Sequence, residues 1–175
     1  MNKYDELKDI LYKNKQIPYP EIPELENDLC LAGMIYDSYA GNISELTAVT
    51  QYVYQHIDVS NCEVLSKILL KISIQEMEHL DILGEILYAL GMKPVYICSK
   101  GRFWNASNVI YEVDSIEKML LNNIEAENKS IRAYRGIINY TNNKELKKIF
   151  ERIIMDEQTH IEIFTLLLKS YTIAN

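Results

Sequence analysis

Six residues of this chain have the types and the spacing of a metal-binding site. Two histidines each follow a glutamate by three positions, and each Glu-x-x-His pair has a further glutamate thirty or thirty-one residues upstream. The six residues are Glu45, Glu76, His79, Glu127, Glu157 and His160. They form two copies of one pattern. Four carboxylates can neutralise two divalent cations, and each neutral imidazole donates one nitrogen, so the chemistry indicated is that of a dinuclear metal site.

Helices that face one another must position these residues. On a helix, positions i and i+3 share a face, and position i+7 returns to it two turns later. Each upstream glutamate has a tyrosine at i+7, Tyr52 after Glu45 and Tyr134 after Glu127. A long helix and its antiparallel return bring residues about 30 positions apart to the same height. The pattern therefore predicts four helices with the six ligands in the middle of their bundle.

The position of each carboxylate in the pattern suggests its role. We expect Glu45 and Glu127 to be terminal ligands, and Glu76 and Glu157 to bridge two ions about 3.5–4 Å apart. One of the two bridging residues, Glu76 or Glu157, would also have a catalytic role and move protons. This arrangement would hold two divalent ions per chain, manganese or iron, because both metals accept carboxylate and imidazole ligands.

The histidines need partners that orient their rings. His79 and His160 would each bind one ion. Gln75 and Asp156 lie one turn before the histidine of their own motif, which makes them candidate partners for the imidazole N–H groups. The two tyrosines of the repeated pattern would either donate hydrogen bonds to ligand carboxylates or simply pack in the core.

Apolar periodicity predicts an all-α protein. Four long helical patterns cover most of the chain, and they span residues 24–57, 60–90, 114–140 and 142–170. The short first and third connections require two antiparallel hairpins, and residues 92–113 form a long crossover between them. Each proposed ligand occupies a position where the period demands a core residue. We therefore expect one four-helix-bundle domain over residues 24–172, preceded by an extended arm over residues 1–23.

Composition excludes several partners and locations. A net charge of −7 argues against nucleic acid or an anionic membrane as a partner. No apolar run approaches the ~20 residues of a membrane span, and the charged start of the chain does not read as a signal peptide. Three scattered cysteines, Cys30, Cys62 and Cys98, predict reduced thiols in a cytoplasmic protein.

The repeated pattern resembles the ferritin-like superfamily over nearly the whole chain beyond the arm. The segment 41–48, followed by Gln51 and Tyr52, is most similar to manganese catalases and rubrerythrin-like proteins. One departure is Ser130, at a position where rubrerythrins carry an additional glutamate. The resemblance implies a ferritin-like four-helix bundle with a dinuclear site for oxygen or peroxide chemistry, formed by the six ligands above.

The resemblance leaves two functions open. The first is a di-manganese or di-iron oxidoreductase of catalase or peroxidase type that acts on hydrogen peroxide. The alternative is an iron-binding, ferroxidase or storage protein that reacts with dioxygen without turning over peroxide. Apart from the resemblance, the sequence is also compatible with a structural bundle whose metals only hold it together. The apolar residues of the crossover, among them Trp104, and the arm around residues 17–23 also suggest a homodimer or a higher homo-oligomer.

Overall fold

The structure, a computed structural model, describes residues 2–174 and confirms the all-α prediction. The helices are α1 (Lys3–Leu11), α2 (Leu29–Ala40), α3 (Glu45–Asp58), α4 (Glu63–Ala89), α5 (Ile116–Tyr140) and α6 (Lys144–Ala174). Among the described residues, extended backbone pairs only in one antiparallel bridge, between Ile97 and Phe103. Within the same range, no helix is long and apolar enough to cross a membrane.

Two helical hairpins, α3 with α4 and α5 with α6, pack side by side to form the bundle. Their core consists of two apolar clusters. One contains Leu83 of α4, Ile137 of α5 and Phe150 of α6, and the other contains Leu69 of α4 and Phe164 of α6. The repeated glutamates and histidines lie along the same helices between these clusters. Apolar packing on both sides thus shields the polar layer from water.

The prediction of a single first helix over residues 24–57 is wrong, because the chain breaks between α2 and α3. Gly41 ends α2 in an extended conformation. A Cβ atom at Gly41 would lie 2.3 Å from the carbonyl oxygen of Asp37, so a side chain there would clash with the preceding turn. Ser44 then caps α3. The break places Glu45 in the first turn of the new helix.

The prediction of an extended arm over residues 1–23 is also wrong in its first half. Asn2 caps α1 by accepting a hydrogen bond from the Asp5 backbone amide at 2.9 Å. Leu7 and Leu11, four residues apart, share one face of α1 and are fully buried in the core cluster around Leu69. A helix this short is only marginally stable by itself, and burial of this face against α4 and α6 provides the stability that it lacks.

The caps of the two later helices lie one residue after the predicted starts of those helices at 114 and 142. Ser115 rather than Asp114 caps α5, and Asn143 rather than Asn142 caps α6 by accepting hydrogen bonds from two backbone amides of its first turn. The end of α4 agrees with the predicted span, which stops at residue 90. Gly91 follows with a φ of 76°, a conformation that favours glycine. These shifts leave the register of the ligands unchanged.

The segment after α1 and the crossover, which together suggested an oligomer, both have contacts within their own chain. Tyr19 packs against the core, and the Trp104 indole donates a hydrogen bond at 2.9 Å to the Thr47 hydroxyl. Other crossover side chains remain exposed, notably Phe103 at 73% and Ile110 at 50%. Only these exposed side chains still favour an oligomer, and the oligomeric state stays a prediction.

Candidate metal centre

The structure brings all six predicted ligands together in the buried layer between the two core clusters. None is more than 2% exposed. They form two groups of four, and within each group the candidate ligand atoms lie within 4.8 Å of one another. One group is Glu45, Glu76, His79 and Glu157, and the other is Glu76, Glu127, Glu157 and His160. Glu76 and Glu157 belong to both groups, as the bridging role requires.

Both imidazole rings direct Nδ1 towards the shared carboxylates. His79 Nδ1 lies 3.0 Å from Glu76 Oε2 and 3.3 Å from Glu157 Oε1. His160 Nδ1 lies 3.0 Å from Glu76 Oε1 and 3.1 Å from Glu157 Oε2. The terminal glutamates are more distant, each 3.8 Å from the nearer ring nitrogen. The layer is therefore nearly symmetric, with one histidine and one terminal glutamate on each side.

The opposite ring nitrogens contact residues of the opposite helix. Nε2 of His79 lies 3.4 Å from Asp156 Oδ2, and Nε2 of His160 lies 3.2 Å from Gln75 Oε1. Gln75 and Asp156 are therefore placed to orient the imidazole rings, and each contacts the histidine of the other motif. Successive residues of a helix are about 100° apart, which directs these two side chains across the gap between α4 and α6.

The donor atoms of this layer fit a cation. Carboxylate and amide oxygens only accept hydrogen bonds, so Asp156 and Gln75 keep the imidazole protons on Nε2 and leave the Nδ1 lone pairs facing carboxylate oxygens. Within the described residues, Oε1 of Glu76 and Oε1 of Glu157 are buried without a hydrogen-bond partner. Burying hydrogen-bond acceptors that face one another costs free energy of folding unless a positive charge lies between them. Divalent ions would satisfy this requirement.

In the metal-free protein, protons provide part of that positive charge. Burial opposes charging of His160, but the carboxylates of Glu76 and Glu157 raise its pKa to about 10. Burial, followed by repulsion from the same two carboxylates, raises the pKa of Glu45 and of Glu127 well above the usual range. Metal binding to such a site must displace protons.

Two buried tyrosines link the halves of the layer. The Tyr52 hydroxyl of α3 donates to Glu127 of α5, and the Tyr134 hydroxyl of α5 donates to Glu45 of α3. Each tyrosine therefore supports the terminal glutamate of the other copy of the pattern. Of the two roles considered for these residues, hydrogen bonding to a ligand carboxylate is the one that the geometry supports, although both rings also pack in the core.

A further group of side chains around Asp156 was not found from the sequence. Tyr19 donates a hydrogen bond to Asp156 Oδ2 at 2.6 Å, and Asn14 donates to Oδ1 at 3.2 Å. Arg152 forms an ion pair with Asp156 and lies 4.5 Å above the Tyr19 ring. Arg152 could have been suspected, because it precedes Asp156 by four residues on one helix. Asn14 and Tyr19 carry no such signal, since each lies more than a hundred residues away in sequence.

A cleft of about 180 Å³ leads towards the other side of the layer. It lies between α3, α5 and the crossover, and Tyr52 and Glu127 are among its lining residues. Other residues of its wall are Thr47, Gln51, Ile110, Asn122, Ala126 and Ser130. Gln55 and Asn123 also line it and exchange two amide hydrogen bonds, at 3.0 and 2.7 Å. The cleft has amide and hydroxyl side chains in its wall and reaches a candidate ligand.

The chain belongs to the ferritin family, because the ferritin-like domain matches residues 44–172. This range begins at the cap of α3 and contains all six candidate ligands. The expected ferritin-like bundle is therefore confirmed.

Individual relatives fall into two kinds. A probable manganese catalase of Clostridium acetobutylicum is 24% identical over 154 residues, which cover 76% of this chain and 68% of the relative. The crystal structure of KatB, a manganese catalase from Anabaena PCC7120, is 25% identical, covers 89% of this chain and 78% of that chain, and superposes with a TM-score of 0.79. Bacterioferritin of Rhodobacter capsulatus, at 20% identity, covers 86% of this chain and 91% of that one with a TM-score of 0.71, a likeness of fold alone.

Proposed function

We propose that this protein is a dinuclear manganese or iron oxidoreductase that acts on hydrogen peroxide, of catalase or peroxidase type. The observation that supports the proposal most strongly is the overlap of the two ligand groups at Glu76 and Glu157. Two carboxylates shared by two sets of donors suit a pair of ions rather than a single ion. The similarity to manganese catalases supports hydrogen peroxide as the substrate.

The reaction of the catalase type is balanced without another reactant. Two molecules of hydrogen peroxide give one dioxygen and two waters, so one peroxide is oxidised, the other is reduced, and the protons lost by the first are taken up by the second. Two bound ions would supply the reversible redox chemistry that the side chains lack. The protein must supply a route for the substrate, a dry site and a place to hold protons.

The chain's own residues can meet these three needs. The cleft beside Glu127 admits a small polar molecule, and the two apolar clusters exclude bulk water. Oε1 of Glu157 or Oε1 of Glu76, each buried without a hydrogen-bond partner among the described residues, can hold a proton between the two half-reactions. Tyr52 and Tyr134 hold the terminal glutamates in place meanwhile.

The alternative is an iron-binding or ferroxidase protein that consumes dioxygen, or a storage protein. Carboxylate and imidazole ligands suit iron as well as manganese, and the same ligand layer would serve either function. The two functions differ in what is consumed. A ferroxidase oxidises added Fe(II) at the expense of dioxygen, whereas a catalase releases dioxygen from peroxide.

An oxygen electrode separates these functions. Protein loaded with manganese, and separately with iron, is given hydrogen peroxide, and for the catalase type we expect one dioxygen for every two peroxides consumed. Glu127→Gln should abolish this release. Glu63→Gln is the control, because Glu63 lies in the first turn of α4 with a side chain 76% exposed, does not line the cleft and should retain activity. Oxidation of Fe(II) without dioxygen release from peroxide would favour the alternative.

We also propose a cytoplasmic location and a homo-oligomer. The three cysteines are free thiols, in keeping with a reducing compartment. The exposed crossover side chains Phe103 and Ile110 offer apolar surface to a second copy. Light scattering should give a mass above that of one 20.4 kDa chain. A mass equal to one chain at micromolar concentration would contradict the oligomer.

A further inference from the structure

We propose that the two metal positions are not equivalent: the position at His79 retains its ion, and the position at His160 exchanges its ion and meets the incoming solute. The inference rests on the proposed dinuclear site and adds an order to it. It comes from what lies behind each imidazole ring and from what covers each side of the ligand layer.

The partners behind the two rings differ in charge. Nε2 of His79 lies 3.4 Å from the carboxylate of Asp156 and 3.1 Å from the Tyr19 hydroxyl, which itself donates to that carboxylate. Nε2 of His160 instead lies 3.2 Å from the neutral amide of Gln75. A carboxylate that accepts the imidazole proton makes the other ring nitrogen a stronger donor to metal, and loss of such a partner typically costs about 10–100-fold in metal affinity. This difference favours the ion at His79.

The ion pair of Asp156 with Arg152 could weaken this effect. Both side chains are buried, Asp156 at 0% and Arg152 at 6% exposure, and Asn14 and Tyr19 also donate to the carboxylate. These donors share the negative charge, but they also keep Asp156 ionised and fixed in place. Gln75 carries no charge, whereas the charged group within hydrogen-bond distance of Nε2 of the His79 ring is the carboxylate of Asp156 and not the guanidinium of Arg152.

Solvent access also differs between the two positions, and the difference again favours retention of the ion at His79. The N-terminal segment covers the His79 side, where Tyr19 packs edge-on against the imidazole with ring centroids 6.0 Å apart and its hydroxyl lies 3.1 Å from Nε2. On the other side, the cleft reaches Glu127, which belongs to the ligand group of His160. An ion at His160 therefore has a route to solvent beside one of its own ligands. Asp156 and Tyr19 act as positioning residues for the retained ion.

The sharpest test compares two single-ligand variants of the full chain. His79→Ala and His160→Ala each remove one imidazole from the nearly symmetric layer, and cobalt(II) titration of the metal-free proteins, followed by d–d absorption, reports the affinity of the remaining position. We expect His160→Ala to bind its cobalt about 10–100-fold more tightly than His79→Ala. Equal affinities, or the reverse order, would overturn the inference.

Two charge-changing variants of nearly unchanged shape provide the second measurement, and they apply even where a histidine variant does not fold. Asp156→Asn should weaken the binding of the tighter cobalt ion, at His79, and Gln75→Glu should strengthen the binding of the weaker one, at His160. Circular dichroism confirms that each variant is folded. If neither substitution changes either affinity, the inequivalence is wrong. If the unaltered protein binds no cobalt at all, it is instead the dinuclear proposal that fails.

Discussion

Tyr52 donates a hydrogen bond to Glu127, a glutamate from the other half of the chain, and Tyr134 returns the same contact to Glu45. The repeated sequence pattern thus becomes a nearly symmetric structure in which each half supports the ligand of the other. Neither half can form its terminal ligand correctly alone. The two hairpins must dock before the layer is complete, so the site also links the halves of the bundle.

Removing one of these hydroxyls should destabilise the protein. Tyr134→Phe leaves the ring in the core but deprives the buried Glu45 carboxylate of its donor, and a hydrogen bond to a charged group contributes about 1.5–3 kcal/mol. Urea unfolding of the metal-loaded protein measures the loss. The control is Tyr54→Phe, whose hydroxyl donates to the backbone carbonyl of Tyr111 near the surface and should matter less. Equal losses would argue against a special role for the Tyr134 contact.

Metal removal should lower the melting temperature. An ion that binds only the folded state adds about 2.7 kcal/mol when its free concentration is about 100 times its Kd. For a chain of this size, that corresponds to roughly 5–10 °C per ion. Differential scanning calorimetry before and after EDTA treatment, with manganese restored in a third sample, measures the shift. Coincident transitions in all three samples would show that no ion stabilises the fold.

The metal-free protein should lose stability as the pH rises. Despite its burial, His160 has a pKa of about 10 in the fold because of Glu76 and Glu157, against an ordinary value of 6.5. Its contribution is fully present below pH 6.5 and is lost as the pH rises through about 10. The raised pKa values of Glu45 and Glu127 act in the same direction, since ionising these buried groups is costly.

Thermal melts of EDTA-treated protein at pH 6.5, 8 and 9.5 measure this trend. We expect a steady fall in melting temperature for the metal-free form. The metal-loaded form should be less sensitive, because deprotonated ligands bind metal more strongly. A metal-free protein that becomes more stable over this range would contradict the assigned pKa directions.

Filling the cleft should slow the arrival of small ligands at the site. Ala126→Phe places a ring in the wall of the cleft, whereas Ala133→Phe makes the same change two turns along α5 at an exposed position. Stopped-flow absorption of azide binding to the metal-loaded protein gives the rate. We expect a several-fold slower rate for the first variant only. Unchanged kinetics in a folded Ala126→Phe protein would mean that solutes reach the site by another route.

The ligand layer could be predicted from sequence because its members repeat on helices whose apolar register is regular. Glu76 and His79, for example, lie on one face of α4 whatever the rest of the fold does. The break at Gly41 was missed because an isolated glycine fits a helical pattern, and only the approach of the Asp37 carbonyl shows the turn. Tyr19 could not be found, since its position depends on how the N-terminal segment packs against distant residues.

The central claim is that the bundle holds two metal ions between its helices, and an anomalous difference map tests it most directly. Crystals of manganese-loaded protein, measured on both sides of the manganese absorption edge, should show two peaks per chain about 3.5–4 Å apart. Both peaks should lie among the six ligands, with Glu76 and Glu157 between them. A single peak in this layer, or peaks only at contacts between chains, would contradict the account.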